Sequence, residues 1–194
     1  SYAPGGLNPK SGFGKMIRVA VTPTTGLTIG VSYANGPFLS EGSTYYPSYG
    51  AGYDPEQHVQ EVVGGDIDFS YGHFSLYGEA VYNVWKFQPV YGSNLKAAGY
   101  SLEARYALLP RLSLAARAGG IAFNAIDAIV VTGGYGTLYY DGPWDHDLWR
   151  LEGAVGYRLN RESSLKIVYQ WNHTMGVRDD PADNALALQA VVSF

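Results

Sequence analysis

The stretch Trp144, Asp145, His146, Asp147 sets two carboxylates around an imidazole, a donor set suited to metal binding or to acid and base hydrolysis. Little stands ready to act with it: the chain has 4 His and no Cys, and no convincing Ser, His and acid constellation marks a nucleophile. We therefore expect no enzyme activity, no metal and no cofactor. Asp179, Asp180 and Asp183 could hold Ca²⁺ with loop carbonyls, although a solvated acidic loop accounts for them more simply. The richest chemistry lies elsewhere, in charges that recur at alternate positions of short segments: Arg18, Asp66, Asp68, Glu79, Glu103, Arg105, Arg111, Arg117, Arg150, Glu152, Arg158 and Lys166. Seven are cationic and five anionic, so a wall lined by them is mixed in sign. Arg105, Arg117 and Arg150 could form a cationic stripe facing Glu79, Glu103 and Glu152. The plainer alternative is pairing across strands, worth well under about 1 kcal/mol per pair.

Alternate positions share a face only in a β-strand, and the segments carrying these charges have period 2. In 149–159, Trp149, Leu151, Gly153, Val155, Tyr157 and Leu159 fall on one face, with Arg150, Glu152, Ala154, Gly156 and Arg158 on the other. The same alternation runs through 165–171 and 186–194, and earlier through 63–71, 74–84, 100–108 and 112–118, more weakly through 17–21 and 27–33. These are nine strands, with no helical period between them. No stretch approaches the roughly 20 apolar residues of a membrane helix, in keeping with the mean hydropathy of -0.10. The formal charge of -4 and the lack of a Lys/Arg run exclude a nucleic-acid partner as an expectation. The opening residues lack the charged and apolar regions of a signal peptide.

The connections alternate in length. Short turns at 23–26, 71–73, 109–111 and 160–163 take turns with long links at 35–60, 88–95, 124–146 and 173–183. A membrane barrel keeps this order because its periplasmic turns are short and its outer loops long, and segments of about ten alternating residues cross a bilayer when tilted. Aromatics near strand ends, among them Tyr71, Phe74, Tyr106, Trp149, Tyr157, Tyr169 and Trp171, suit the two interfaces. The expected fold is thus all-β, a transmembrane antiparallel up-and-down β-barrel over residues 1–194 as a single domain. A soluble up-and-down barrel with an apolar interior is the competing architecture. Tyr45, Tyr46, Tyr49 and Tyr53 in the first long link suit a folded-in constriction, sugar stacking or a plain cover over the barrel mouth. With short turns in the periplasm, the last strand ends there at Phe194 and the first of nine also runs inward. Single-chain barrels have even strand numbers, so an upstream segment is expected. If residues 17–21 are loop instead, a closed eight-stranded barrel results.

The segments 64–85, 100–120, 148–172 and 186–194 resemble the C-terminal part of large Gram-negative outer-membrane porins, closest to the phosphate-selective type. The terminal Phe194 after alternating hydrophobics is similar to the signal that outer-membrane assembly machinery reads. The resemblance implies a barrel of about 16 to 18 strands, often trimeric, passing small polar or anionic solutes. It also implies an outer membrane with its lipid bilayer and lipopolysaccharide as surroundings. The possible protein partners are the assembly machinery and a homotrimer or a chain that completes the barrel. The dense basic ladder of such anion channels is missing here. A small closed or conduit barrel and, behind it, an outer-membrane hydrolase are the alternative functions.

Overall fold

The computed structural model describes residues 14–37, 59–86, 94–133, 136–176 and 184–192. Its elements are β1 (Lys15–Thr24), β2 (Leu27–Pro37), β3 (Val59–Tyr71), β4 (Phe74–Trp85), β5 (Leu95–Leu109), β6 (Leu112–Phe123), β7 (Ala125–Gly133), β8 (Gly136–Pro143), β9 (Leu148–Arg158), β10 (Ser163–Thr174) and β11 (Ala185–Val192). No helix occurs among the described residues. Nine strands form one sheet in the order β1-β2-β3-β4-β5-β6-β9-β10-β11, every neighbour antiparallel. All nine expected strands are therefore present, in an up-and-down meander. Residues 17–21 belong to β1, paired in register with β2, which removes the eight-strand alternative.

Two findings differ from the sequence reading. The link 124–146 is not simply a loop, because β7 and β8 pair there as a separate two-stranded hairpin. In addition, β5 and β6 extend well beyond 100–108 and 112–118. The added residues include Ala97, Ala98 and Gly99 facing Phe123, Ala122 and Ile121. Small side chains blur the hydropathy alternation while leaving the backbone free to pair.

The short turns show why the meander reverses where it does. Gly26 takes a φ of 84°, and its carbonyl accepts a hydrogen bond from Ser70 N–H at 2.6 Å. A Cβ there would lie 2.2 Å from the Ser70 carbonyl oxygen, so only glycine fits. Between β9 and β10, Asn160 Oδ1 accepts from Glu162 N–H, Ser163 N–H and Ser163 Oγ–H at 2.8, 2.7 and 2.8 Å. That side chain substitutes for turn backbone, as Asn does in tight reversals.

No conventional core supports the sheet. Ala97 and Ile126 are the buried hydrophobic residues found among the described ones, and no large side chain there is fully buried. Among the described residues no second layer packs over either face of the sheet. Among the described residues β1 and β11 each pair on one side only, and with eight antiparallel steps between them they run in the same direction.

Candidate functional site

Register carries one face unbroken across all nine strands. Val19, Val31, Gly65, Ala80, Tyr100, Gly120 and Trp149 lie opposite one another in sequence, and the parallel row Val21, Ile29, Ile67, Gly78, Leu102, Ala118, Leu151, Trp171 repeats the pattern. Further along, Val155, Ile167 and Leu188 continue it at 47%, 53% and 74% exposure. Aromatics mark both ends of this apolar face: Tyr71, Phe74 and Tyr106 by the short turns, Trp149 and Trp171 at the other end, packed edge to face at 4.9 Å.

The opposite face gathers eleven of the twelve expected charges: Arg18 on β1, Asp66 and Asp68 on β3, Glu79 on β4, Glu103 and Arg105 on β5, Arg117 on β6, Arg150, Glu152 and Arg158 on β9, and Lys166 on β10. Arg111 sits in the turn between β5 and β6. Phe194 lies outside the described residues, as do Asp179, Asp180, Asp183 and the four tyrosines from Tyr45 to Tyr53. In the middle of β9, Leu151, Gly153, Val155 and Tyr157 are exposed and Glu152, Ala154 and Gly156 half-buried, while toward its ends Arg150 and Arg158 are exposed and Trp149 is half-buried. A soluble sheet covers its aliphatic face, which here stays exposed.

Within the polar face the signs interleave, and a cationic stripe does not form. Glu103 stands opposite Arg117, which stands opposite Glu152. Arg105 bonds Glu103, and Arg150 lies 3.9 Å from Glu152 while its Nε–H donates to Asn172 at 2.8 Å. Arg18 reaches over β2 to fork Asp66, Nε to Oδ1 at 3.1 Å and Nη2 to Oδ2 at 2.7 Å. Gly30 makes that reach possible, because a Cβ at this position would fall 2.6 Å from the Asp66 carboxylate. The fork offsets the repulsion between Asp66 and Glu79, which are direct cross-strand neighbours. Toward the short turns, Arg111, Arg158 and Lys166 rim a depression of about 310 Å³ floored by Gly156 and Ser113. Acidic groups thus dominate β3 and β4, and basic groups dominate β6, β9 and β10.

The Trp144 to Asp147 stretch is assigned a different role from metal chemistry. Asp147 Oδ1 accepts from Phe123 N–H at 2.7 Å, Asp145 Oδ1 from His146 N–H at 2.8 Å, and the Trp144 indole N–H donates to Lys96 O at 2.9 Å. These are contacts that fasten a turn. Among the described residues no group of three or more His, Asp and Glu side chains is arranged to hold a metal ion. Sequence reasoning missed the partners of Trp144, which are Trp85 at 5.6 Å and Phe123 at 4.7 Å between ring centroids. Both occupy polar-face positions, so a large aromatic out of phase with its strand was the available signal. In comparison with known proteins, the chain matches no family model and no curated protein.

Proposed function

We propose that this sheet is a wall of an outer-membrane β-barrel that forms a water-filled channel for passive diffusion of small polar solutes. The observation that carries the reading is the continuous apolar face, exposed on all nine strands, back to back with a face holding eleven charges. An uncovered aliphatic surface of this extent is stable only against another apolar phase. Lipid supplies that phase without requiring any second layer of protein, and the aromatic ends of the face match headgroup depth. The polar face then lines the interior. Because ladder bonding occupies the backbone, selectivity falls to side chains, and the interleaved signs favour weak discrimination over a strict anion filter.

Closure is part of the proposal. Since β1 and β11 run in the same direction, a fully antiparallel barrel requires an odd number of added strands between them, from the same polypeptide or from a partner chain. Planar-bilayer recording of the purified protein tests the function. Stepwise, ohmic conductance with modest charge selectivity is expected. Lipid-associated folded protein that gives no conductance would refute the channel and leave a structural barrel.

A further inference from the structure

The apolar face differs at its two ends. Toward the short turns it finishes in Tyr71, Phe74, Tyr106 and Tyr157, and among the described residues no Lys, Arg, Asp or Glu of any strand lies on it there. Toward the long connections one register row changes character. Lys15 on β1 lies opposite Asn35 on β2, Asn35 opposite Glu61 on β3, Glu61 opposite Val84 on β4, and Val84 opposite Lys96 on β5. Lys86, just past β4, continues the same face: its backbone N–H donates to Val59 O, and its Nζ donates to Glu61 Oε1 at 2.8 Å. Asn35 Nδ2 donates to that oxygen too, at 3.4 Å. Alternation makes Lys86 a diagonal neighbour of Lys96, roughly 7 Å away. The next row inward is Ile17, Tyr33, Val63, Tyr82 and Ala98, with the two tyrosines 41% and 45% exposed.

We propose that this row is a docking site for a membrane lipid whose headgroup carries more than one phosphate, in the leaflet at the long-connection end. The proposal rests on the apolar face meeting lipid, as argued above, and not on conductance. Aliphatic groups, then tyrosines, then lysines follow the order of polarity from acyl chain to headgroup. The sign is cationic, three lysines against Glu61, and among the described residues neither Lys15 nor Lys96 has a carboxylate partner. Lysines placed only to keep their ammonium groups in water would serve either end of the face equally. Their confinement to one end points to an anionic leaflet there. Lys86 and Lys96 suit one phosphate. Lys15 stands four strand spacings from Lys96, roughly 19 Å between backbones, a span that two long side chains shorten. A second phosphate on the same headgroup uses both places, and a single phosphate uses only one.

The test titrates the full chain, folded in non-ionic detergent micelles, with lipid A, which carries two phosphates, and with phosphatidylglycerol, which carries one. Native mass spectrometry reads the bound lipid. A lysine beside an anionic headgroup is worth roughly fivefold in binding. The parent should therefore hold lipid A about fivefold or more tightly than phosphatidylglycerol, with the preference falling as salt rises. Lys96→Gln, which breaks no ion pair, should lose roughly fivefold in lipid A affinity. Glu61→Gln removes the carboxylate that competes for Lys86 and should bind lipid A more tightly than the parent. Lys166→Gln, on the opposite face, should bind it as the parent does. A micelle-bound parent that holds both lipids alike, or that keeps its lipid A affinity through both Lys96→Gln and Glu61→Gln, overturns the docking site alone and leaves the channel reading standing. A parent that is folded and soluble without detergent or lipid overturns the lipid-facing assignment and the docking site with it.

Discussion

Replacing Ile167 by Arg separates a lipid-facing sheet from a water-facing one. Ile167 lies between Val155 and Leu188, with Leu165 and Tyr169 above and below on the same strand, and that face of β9 to β11 carries no carboxylate to receive a guanidinium. It is the fifth residue of β10. In the proposed barrel, four steps of about 3.4 Å at a tilt near 40° would place it roughly 10 Å below the short-turn interface of a band about 25 Å tall. That depth is close to the midplane, where Arg costs about 2–4 kcal/mol. Lost burial of a side chain still 53% exposed adds about 1 kcal/mol when lipid covers the rest. The expected destabilisation of Ile167→Arg is therefore roughly 3–5 kcal/mol. Val168→Arg, one residue away between Ala154 and Ala187 on the polar face, should cost less than about 1 kcal/mol. Urea unfolding in lipid vesicles, followed by tryptophan emission, reads both. In water an exposed Ile tolerates Arg within about 0.5 kcal/mol. Equal effects at the two positions would refute the assignment of faces to lipid and lumen.

Three other substitutions probe separate features. Gly26→Ala forces a side chain onto the Ser70 carbonyl and should destabilise by roughly 2–4 kcal/mol, whereas Gly72→Ala, also at positive φ but in open space, should cost about 1 kcal/mol in the same unfolding assay. Asn160→Ala removes the acceptor of three turn hydrogen bonds and should lower stability by roughly 1–2 kcal/mol, while Asn160→Asp keeps it near the parent. Arg117→Glu would align three carboxylates across β5, β6 and β9, moving the reversal potential toward cations and destabilising by about 1 kcal/mol, an effect that should weaken in high salt.

Strands with strict alternation, such as β9 and β10, were legible from sequence to within a few residues, because a buried or lipid-covered face enforces period 2. So was the side of the sheet on which eleven of the twelve charges lie, since parity along a strand fixes it; Arg111 falls in a turn, where parity has no meaning. Pairing partners were not. Arg18 meets Asp66 only because Gly30 clears the intervening strand, a relation across 48 positions that no local pattern encodes. The same limit hid β7 and β8. Their residues, rich in Gly, Tyr and Val without polar alternation, read as loop, and the Trp144 cluster depends on three strands meeting at one corner. Small residues in β5 and β6 erased the period where the strands continued.

The meander has a kinetic corollary. Eight of its nine strands can be knitted from their neighbours in chain order through turns or single links, but β9 must find β6 across residues 124–147. Chain-closure entropy makes that step roughly 2 kcal/mol less favourable than the two-residue reversal at Gly72 and His73. The β7–β8 hairpin shortens the search. By pairing Ala125 with Pro143, it brings the two stems together before the ladder reaches them. Once the local hairpin has zipped, β6 and β9 face each other as though joined by a tight turn, and assembly can proceed at the pace of local contacts.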